Sequence, residues 1–303
     1  MADRTPRERV TDAATVNAYR LGSLAARLMP GPVAAVAATS LGFTASFANA
    51  ERRAMIERHL QRVNPKLKGA SLRVAVQQAF DSYARYYVES FRLPSLSKRA
   101  VDRPFSVDGF HHITDALDKG NGVIFALPHL GGWEWAGRWM TDKGYRLTVV
   151  VEALEPPELF EWFADLRKEL GMTVVPTGPK AGPAVLKALR DNEVVCLLCD
   201  RDIERNGVSV EFFGERTTLP AGPATLGLRV GAPILPVGCY FTNDYNGHHA
   251  LVRPPLATTR TGSLRDDVAR ITQSLAHELE FLIRRAPEQW HLFQPNWPSD
   301  PGY

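Results

Sequence analysis

A histidine and a glutamate, His129 and Glu134, have four residues between them and follow directly after a short apolar segment at residues 122–127. The apolar segment is typical of a buried strand and residues 135–140 are compatible with a helix, so His129 is expected where a strand gives way to a helix. In open α/β sheets the carboxyl ends of the strands are where sites are built. An imidazole oriented by a carboxylate can accept a proton near neutral pH. Two glycines lie between the pair and allow a tight turn, so we expect Glu134 to meet the His129 ring. The alternative is that His129 caps the helix and Glu134 lies on the surface, and the spacing alone does not decide between them.

Positive charge is concentrated in the first third of the chain. The 303 residues carry a net charge of +3, but residues 1–105 hold 17 Lys and Arg against 8 Asp and Glu, and the remainder holds 19 against 25. A basic, apolar-rich segment beside a mildly acidic body favours an anionic partner, either nucleic acid or lipid headgroups. Because the sequence lacks aromatic–basic RNA-binding signatures and zinc-finger spacings, we expect an anionic membrane surface and no nucleic acid.

The three cysteines, Cys196, Cys199 and Cys239, are interpreted as packing residues. Cys196 and Cys199 have C-x-x-C spacing but lie in residues 193–199, an apolar stretch that predicts a strand. Residues three apart on a strand face opposite sides of the sheet, which disfavours a shared metal or redox pair. The sequence shows no metal-ligand spacing and no phosphate-binding loop, so we predict no metal and no cofactor. Free thiols fit a reduced, cytosolic compartment.

An uncharged segment from residue 28 to residue 50 raises the question of membrane insertion. It is long enough to span a bilayer, but Pro30, Gly31 and Pro32 interrupt its start and small residues of low transfer energy dominate it. We therefore expect a buried or membrane-surface helix. The basic amphipathic helix predicted at residues 51–63 is of a type that often associates with membranes, and a helix packed on the body is the alternative. No secretory signal is recognisable, so we expect a peripheral or monotopic protein at the cytoplasmic face of the plasma membrane.

Strand and helix patterns alternate from the His129 segment almost to the end of the chain. Strands are predicted at residues 122–127, 146–151, 172–176, 193–199, 208–213, 233–241 and 250–254, and helices at residues 11–28, 33–49, 51–63, 71–93, 111–119, 157–170, 182–190, 220–230 and 263–285. This alternation favours an α/β fold with a predominantly parallel central sheet flanked by helices. We expect residues 1–105 to form an N-terminal helical, membrane-facing cap and residues 106–303 to form the α/β core.

Four blocks of sequence follow one another in an order that is typical of one enzyme family. They are Pro-His-Leu-Gly-Gly-Trp-Glu at residues 128–134, Asp-Arg-Asp followed by Val-Glu-Phe-Phe-Gly within residues 200–214, the stretch at residues 217–236, and Pro-Glu-Gln-Trp-His at residues 287–291. Together they resemble the bacterial lipid A biosynthesis (lauroyl/myristoyl) acyltransferases, within the lysophospholipid acyltransferase group. The resemblance covers most of the chain from about Val107 onward and, more weakly, the N-terminal helices.

The resemblance implies transfer of a fatty acyl group from a thioester donor to a sugar or glycolipid hydroxyl at the membrane. One actinobacterial branch acylates phosphatidylinositol mannosides from acyl-CoA. The Gly-Trp-Glu-Trp-Ala stretch after His129 and the Ala- and Arg-rich composition are similar to that branch. We therefore expect acyl-CoA, with palmitoyl as the acyl group, as co-substrate and a mannose hydroxyl as acceptor. A lipid A precursor or another glycolipid is the alternative acceptor, and thioester hydrolysis by the same dyad is the alternative reaction.

Such a reaction requires a base, because the pKa of an alcohol lies far above 7. A positioned base contributes typically ~10²–10⁴-fold to the rate. We assign this role to His129, with Glu134 as the residue that orients its ring. The CoA thiolate is a good leaving group, so we expect no covalent acyl-enzyme, and the sequence has no Gly-x-Ser-x-Gly elbow. The backbone N–H groups of residues 130–132 are the expected donors to the developing oxyanion, and Arg167 could add to them.

Polar residues that follow other predicted strands are candidate substrate-binding groups. Asp200, Arg201 and Asp202 end a strand at the same expected sheet edge and suit sugar hydroxyls or CoA phosphates. Glu204 extends this loop. Glu152 ends another strand and is a candidate for the acceptor hydroxyls, with a solvated surface position as the alternative.

The family resemblance also implies that Arg167 and His291 lie near the site. Arg167 stands shortly before a helix-ending glycine, and a solvated arginine is the alternative; His291 follows the tryptophan of the last block. The acyl chain needs a long apolar groove. Aromatic candidates for its lining, each equally plausible as core, are Phe125, Trp133, Trp135, Trp139 and Trp162.

Overall fold

The computed structural model describes residues 6–152, 155–244 and 246–303, with side chains from residue 11 onward. The described helices are α1 (Pro6–Leu28), α2 (Gly31–Ala48), α3 (Ala50–Val63), α4 (Gly69–Arg92), α5 (Lys98–Asp102), α6 (His111–Leu117), α7 (Trp133–Asp142), α8 (Pro157–Glu169), α9 (Ala181–Arg190), α10 (Gly222–Val230) and α11 (Leu264–Arg284). The strands are β1 (Phe105–Asp108), β2 (Val123–Leu127), β3 (Leu147–Val151), β4 (Thr173–Pro176), β5 (Val194–Leu198), β6 (Val208–Phe212), β7 (Glu215–Leu219), β8 (Ile234–Phe241) and β9 (His248–Val252).

Seven strands form one sheet in the order β1-β9-β8-β2-β5-β3-β4. All neighbours pair in parallel except β8 and β9, which form an antiparallel pair. Strand β2 is fully buried near the centre, as its unbroken apolar sequence predicts. The α/β fold with a predominantly parallel sheet and flanking helices is therefore confirmed.

Two apolar layers cover the two faces of this sheet. Helices α9, α10 and α11 pack on one face, where Leu189, Ala224 and Leu279 are buried in one cluster. Helices α6 and α7 pack on the other, where Ile113 and Trp135 are buried in a second cluster. Both faces of the central strand β2 are therefore covered by helices.

The hairpin of β6 and β7 lies outside the main sheet, and its second strand was not predicted. Phe213 and Gly214 join the two strands with positive φ angles of 53° and 76°. Two consecutive residues with positive φ give the turn twist that antiparallel hairpins prefer. The sequence at residues 215–219 is mostly polar, and it gave no strand signal by itself.

Helix α4 joins the N-terminal helices to the core. It packs against α1, α2 and α3, and it also contacts α7 and the turn at Pro287–Gln289. Its aromatic side chains are largely inside, in line with the sequence, and two of its polar groups contact residues around the His129 loop. The N-terminal helices therefore help to build the surroundings of the site.

Helix α2 presents small residues to α4 and bulky apolar residues to the outside. Gly42 lies so close to α4 that a Cβ there would stand 2.5 Å from a side-chain oxygen of Asp81. Large apolar side chains on the opposite face are exposed, namely Val33, Val36, Leu41, Phe43 and Phe47. Within the described ranges, α2 is the one helix long and apolar enough to cross a membrane, which is weak evidence by itself.

Helix α3 is amphipathic as predicted, but part of its basic face is used inside the protein. Arg62 pairs with Glu215 at 3.0 Å and with the buried Asp300 at 2.7 Å. Arg58 donates to the backbone carbonyl of Ser299. These contacts favour the alternative in which the helix packs on the body of the protein.

Candidate active site

His129 is held by Asp200, which follows the neighbouring strand. Strands β2 and β5 pair in parallel with Leu127 opposite Leu198, so the residues two positions further on each strand lie side by side at the sheet edge. The Nδ1 atom of His129 lies 2.7 Å from Oδ1 of Asp200, and the backbone N–H of His129 donates to Oδ2 at 3.0 Å. This arrangement fixes the ring and leaves Nε2 as the atom that Asp200 does not engage.

Asp200 is fully buried, and its partners keep it ionised. Burial alone would raise the pKa of this carboxyl. The charge and hydrogen bond of His129 and the hydrogen bond from Trp290 outweigh burial, so the net pKa is lowered. The indole Nε1 of Trp290 donates to Oδ2 at 2.7 Å. Sequence reasoning gave Trp290 no role, although its place in the last family block was the available signal.

Glu134 occupies a different place from the one expected. Its Oε1 accepts hydrogen bonds from Nε of Arg167 at 2.9 Å, from Nη2 of Arg167 at 2.5 Å and from the Tyr86 hydroxyl at 3.2 Å. The expected orienting contact between Glu134 and the His129 ring is thus corrected, since Asp200 occupies Nδ1. The reason is that Glu134 belongs to the first turn of α7 and is directed toward α8 and α4, whereas the strand register brings Asp200 to His129.

The Glu134–Arg167 pair is a buried ion pair. The exposed fractions of the two side chains are 6% and 16%. Burial would lower the pKa of Arg167, but the adjacent Glu134 carboxylate raises it overall. Burial and the same carboxylate raise the pKa of Tyr86 well above its ordinary value. Arg167 is therefore a permanent cation beside Glu134, and it is not a solvated surface residue.

The loop between His129 and α7 has a tightly constrained backbone. Gly131 has a φ of +58°, and a Cβ at this position would lie 2.2 Å from the carbonyl oxygen of Cys239. Leu130 N–H donates to Pro128 O at 2.8 Å and Gly131 N–H donates to Gln289 O at 2.9 Å. These two expected oxyanion donors are already engaged. Trp135 N–H donates to Gly132 O at 3.1 Å, so the amides of Gly132, Trp133 and Glu134, which precede the first hydrogen bond of α7, are the better candidates.

His291 contacts the loop after His129 from the protein interior. Its backbone N–H donates to the carbonyl oxygen of His129 at 2.7 Å. Its ring is 5% exposed, with Nε2 2.8 Å from the Ser82 hydroxyl on α4. Burial, helped by the nearby charge of His129, lowers the pKa of His291 to about 3. A neutral, buried imidazole therefore lies next to the site, and its contact with His129 is made through the backbone.

The remaining predicted residues follow β3 and β5 at the same edge of the sheet. Nη1 of Arg201 lies 3.9 Å from Oε2 of Glu152, so these two side chains approach each other across the carboxyl ends of the strands. Asp202 accepts the backbone N–H of Gly207 at 2.7 Å and shapes its own loop. Glu204 is exposed and bonds within the loop to a neighbouring asparagine.

An apolar cavity opens beside the loop between His129 and α7, and it lies between α7 and the sheet. Its enclosed free volume is about 90 Å³, and further space at its mouth is open to solvent. Glu134 and Arg167 stand in its wall, and every other side chain along it is apolar apart from two cysteines. Three of the five aromatic residues expected to form a groove line it, namely Phe125, Trp133 and Trp139. Trp135 is instead buried against His248, and Trp162 packs with Tyr19 and Phe91.

The cysteines are free thiols distributed over the two sides of the sheet. Cys196 lies with the cluster under α7 and Cys199 with the opposite cluster, as the strand alternation predicted. Burial raises the pKa of Cys196 to about 12. Within residues 6–152, 155–244 and 246–303, no group of three or more His, Cys, Asp or Glu side chains is placed to hold a metal ion.

Comparison with known proteins identifies the family. Residues 1–299 match the family described as bacterial lipid A biosynthesis acyltransferase. The chain is 37% identical to a phosphatidylinositol mannoside acyltransferase of Mycobacterium tuberculosis, over 98% of this chain and 93% of the relative. It is 40% identical to the protein of the same name from Mycolicibacterium smegmatis, over 74% of this chain and 73% of that protein. The chain therefore belongs to the bacterial lipid A biosynthesis acyltransferase family.

Proposed function

We propose that this acyltransferase moves a long-chain acyl group, palmitoyl by expectation, from acyl-CoA to a mannose hydroxyl of a phosphatidylinositol mannoside. The names of the mycobacterial relatives support this acceptor class. The observation that carries the chemistry is the 2.7 Å contact between His129 Nδ1 and Asp200. It holds a half-buried imidazole with its second nitrogen available, next to a cavity whose wall is almost entirely apolar.

His129 acts as the general base. Its Nε2 takes the proton of the mannose hydroxyl while the oxygen attacks the thioester carbonyl carbon. Asp200 fixes the tautomer and stabilises the imidazolium that forms. The tetrahedral intermediate then collapses, a C–O ester bond replaces the C–S bond, and the proton passes from His129 to the departing thiolate, which leaves as CoA thiol. No acyl-enzyme is formed in this sequence.

Arg167 and the first turn of α7 face the negative charge that develops on the carbonyl oxygen. Helix N-termini and fixed cations are effective there because they need no reorganisation during the reaction. Glu134 serves this step indirectly, since it holds the Arg167 guanidinium through two hydrogen bonds. The acyl chain occupies the apolar cavity whose wall contains the same ion pair.

The polar groups at the carboxyl ends of β3 and β5 bind the sugar of the acceptor. Glu152 and Arg201 approach each other at this edge, and both remain accessible to solvent. Asp202 and Glu204 continue the same loop, where their carboxylates accept hydrogen bonds from sugar hydroxyls or lie near the CoA phosphates. His291 supports the His129 loop from the interior.

Mass spectrometry of the products formed from palmitoyl-CoA with a panel of glycolipid acceptors tests the proposal. We expect palmitate on phosphatidylinositol mannosides, and no product from a folded His129→Ala variant. Acylation of a lipid A precursor instead would show that the acceptor is a lipid A precursor and not a phosphatidylinositol mannoside. CoA release that does not depend on any acceptor would identify a thioester hydrolase. Full activity of a well-folded His129→Ala protein would reject His129 as the base.

The outer face of α2 is proposed to lie on the cytoplasmic surface of the plasma membrane. Its exposed Phe43 and Phe47 rings contact each other at a tilt, with centroids 4.8 Å apart, and Leu21, Leu24 and Leu28 of α1 are exposed as well. Apolar residues of this kind insert at the lipid interface, and basic residues of the N-terminal third add attraction to anionic headgroups. This geometry supports a peripheral or monotopic attachment.

Flotation with vesicles containing anionic lipid measures this attachment. We expect the double substitution Phe43→Ser and Phe47→Ser to weaken binding strongly, whereas Phe281→Ser, at an exposed phenylalanine of α11, leaves it unchanged. Salt should weaken only the electrostatic part of the binding. Retention that salt does not affect and that requires detergent for release would indicate a spanning helix instead.

A further inference from the structure

The apolar cavity extends along one face of the sheet, from the loop after His129 toward strand β1. Near His129 its wall contains Leu127 and Trp133, and it continues past Val237 and Ala250 of β8 and β9. In the sheet order, β1 lies three strand positions from β2. With strands about 4.8 Å apart, this places the far end roughly 14 Å across the sheet from the base.

Three aromatic rings close that far end. Phe105, the first residue of β1, stacks on Trp139 of α7 with ring centroids 4.6 Å apart and an interplanar angle of 23°. Phe110 meets the same indole edge-on at 5.7 Å. The indole is fixed in turn, because its Nε1 donates to Asp102 at 2.8 Å. Because the Trp139 indole is in contact on its face, at its edge and at its nitrogen, an incoming acyl chain does not displace it easily.

We infer that Phe105, stacked on Trp139, is the end wall that selects the length of the acyl chain. This inference rests on the proposed function, in which the cavity holds the acyl group. A chain whose terminal methyl reaches the wall buries all of its methylene groups, and a longer chain must displace the ring pair or leave carbons in water. Each methylene contributes favourably when buried, so two methylenes change the preference about tenfold.

The acyl chain could instead extend in a second direction within the cavity. The cavity also extends under β3, where Leu147, Val149 and Met172 line it. That end lacks a stacked aromatic closure among the residues the structure describes, and the flexible Met172 side chain forms part of it. A wall that defines one length is therefore expected at Phe105 and not at the β3 end.

The test compares the catalytic efficiencies of each variant with myristoyl-, palmitoyl-, stearoyl- and arachidoyl-CoA. Phe105→Ala opens the wall, and we expect the ratio of stearoyl to palmitoyl transfer to rise about tenfold. Ala136→Leu, on the cavity side of α7, fills the path and should shift the preference toward myristoyl. Phe281→Ala, which removes a phenylalanine from α11 outside the cavity, should leave the profile of the wild-type protein unchanged.

An unchanged profile in a folded Phe105→Ala variant would overturn the inference. A Val149→Phe variant that shortens the preferred chain while Phe105→Ala has no effect would place the chain at the β3 end and would also overturn it. Binding of the matched free fatty acids, followed by tryptophan fluorescence, tests the wall without turnover. If the wild-type protein transfers no acyl group, but Phe105→Ala binds longer fatty acids than the wild type does, the proposed function is rejected. Phe105 would then still limit the length of the bound chain.

Discussion

Two buried carboxylates lie on either side of the loop between His129 and α7, and they hold different basic side chains. Asp200, at the end of β5, holds the imidazole of His129 together with an indole N–H. Glu134, in the first turn of α7, holds the guanidinium of Arg167 and a tyrosine hydroxyl. In the proposed mechanism the first carboxylate serves a group that must gain and lose a proton, whereas the second serves the permanent charge of Arg167. The comparison teaches that proton transfer and charge stabilisation are supported by separate parts of the fold.

Replacing Asp200 should have the largest effect on turnover. In Asp200→Asn the side chain keeps its size but no longer stabilises the imidazolium or fixes the tautomer, so we expect kcat to fall by about 10²–10⁴-fold. The KM for acyl-CoA should change little, because the apolar cavity is untouched. Steady-state kinetics on the purified protein measure both parameters.

A matched control is Asp267→Asn, which alters another buried carboxylate, one that accepts hydrogen bonds from Thr261 and Arg270 far from the loop in sequence. We expect this variant to lose stability and to keep its kcat. An Asp200→Asn protein that retains half of the wild-type kcat would show that the close contact with His129 is structural only.

Replacing Glu134 should act first on stability. Glu134→Ala leaves Arg167 charged and unpaired in a site where its side chain is 16% exposed, which costs roughly 3–5 kcal/mol of the free energy of unfolding. Activity should fall as well, since the guanidinium is no longer held. Denaturant unfolding and acyl transfer are measured on the same preparation.

The double variant Glu134→Leu with Arg167→Met separates the two consequences. Replacing both partners by apolar groups of similar volume is often nearly neutral for stability, so we expect unfolding close to that of the wild type. Turnover should stay low, because the cation is gone. Recovery of turnover together with stability would contradict the role of Arg167 in charge stabilisation.

The sequence predicted the sheet and the position of His129 but not the partner of His129. Residues 122–127 are apolar throughout, and this pattern was sufficient to place His129 after a buried strand. The four-residue spacing indicated Glu134 as its partner, because spacing carries no information about the register between separate strands. That register, Leu127 opposite Leu198, brings Asp200 to the ring. Asp200 was predicted at the same edge of the sheet, so the residue was found and its role was not.

Features that depend on distant contacts were the hardest to predict. The hydrogen bond from Trp290 to Asp200 joins residues 90 positions apart. The contribution of α4 to the site was missed because its aromatic residues fit a core helix equally well. The ring pair at the end of the cavity depends on the pairing of β1 with β9, and β1 is too short to give a strand pattern of its own.

The smallest expected effect belongs to His291, whose backbone N–H donates to the carbonyl oxygen of His129. Burial lowers its pKa to about 3, whereas an unfolded histidine titrates near 6.5. The neutral buried ring therefore contributes its full stability above pH 6.5, and this contribution is lost as the pH falls from there toward 3. Between pH 7.5 and pH 5 the wild-type protein should lose on the order of 2 kcal/mol more than His291→Gln, in which an amide replaces the titrating ring beside Ser82. Urea unfolding of both proteins at the two pH values measures the difference, and parallel losses would show that His291 is protonated in the folded state.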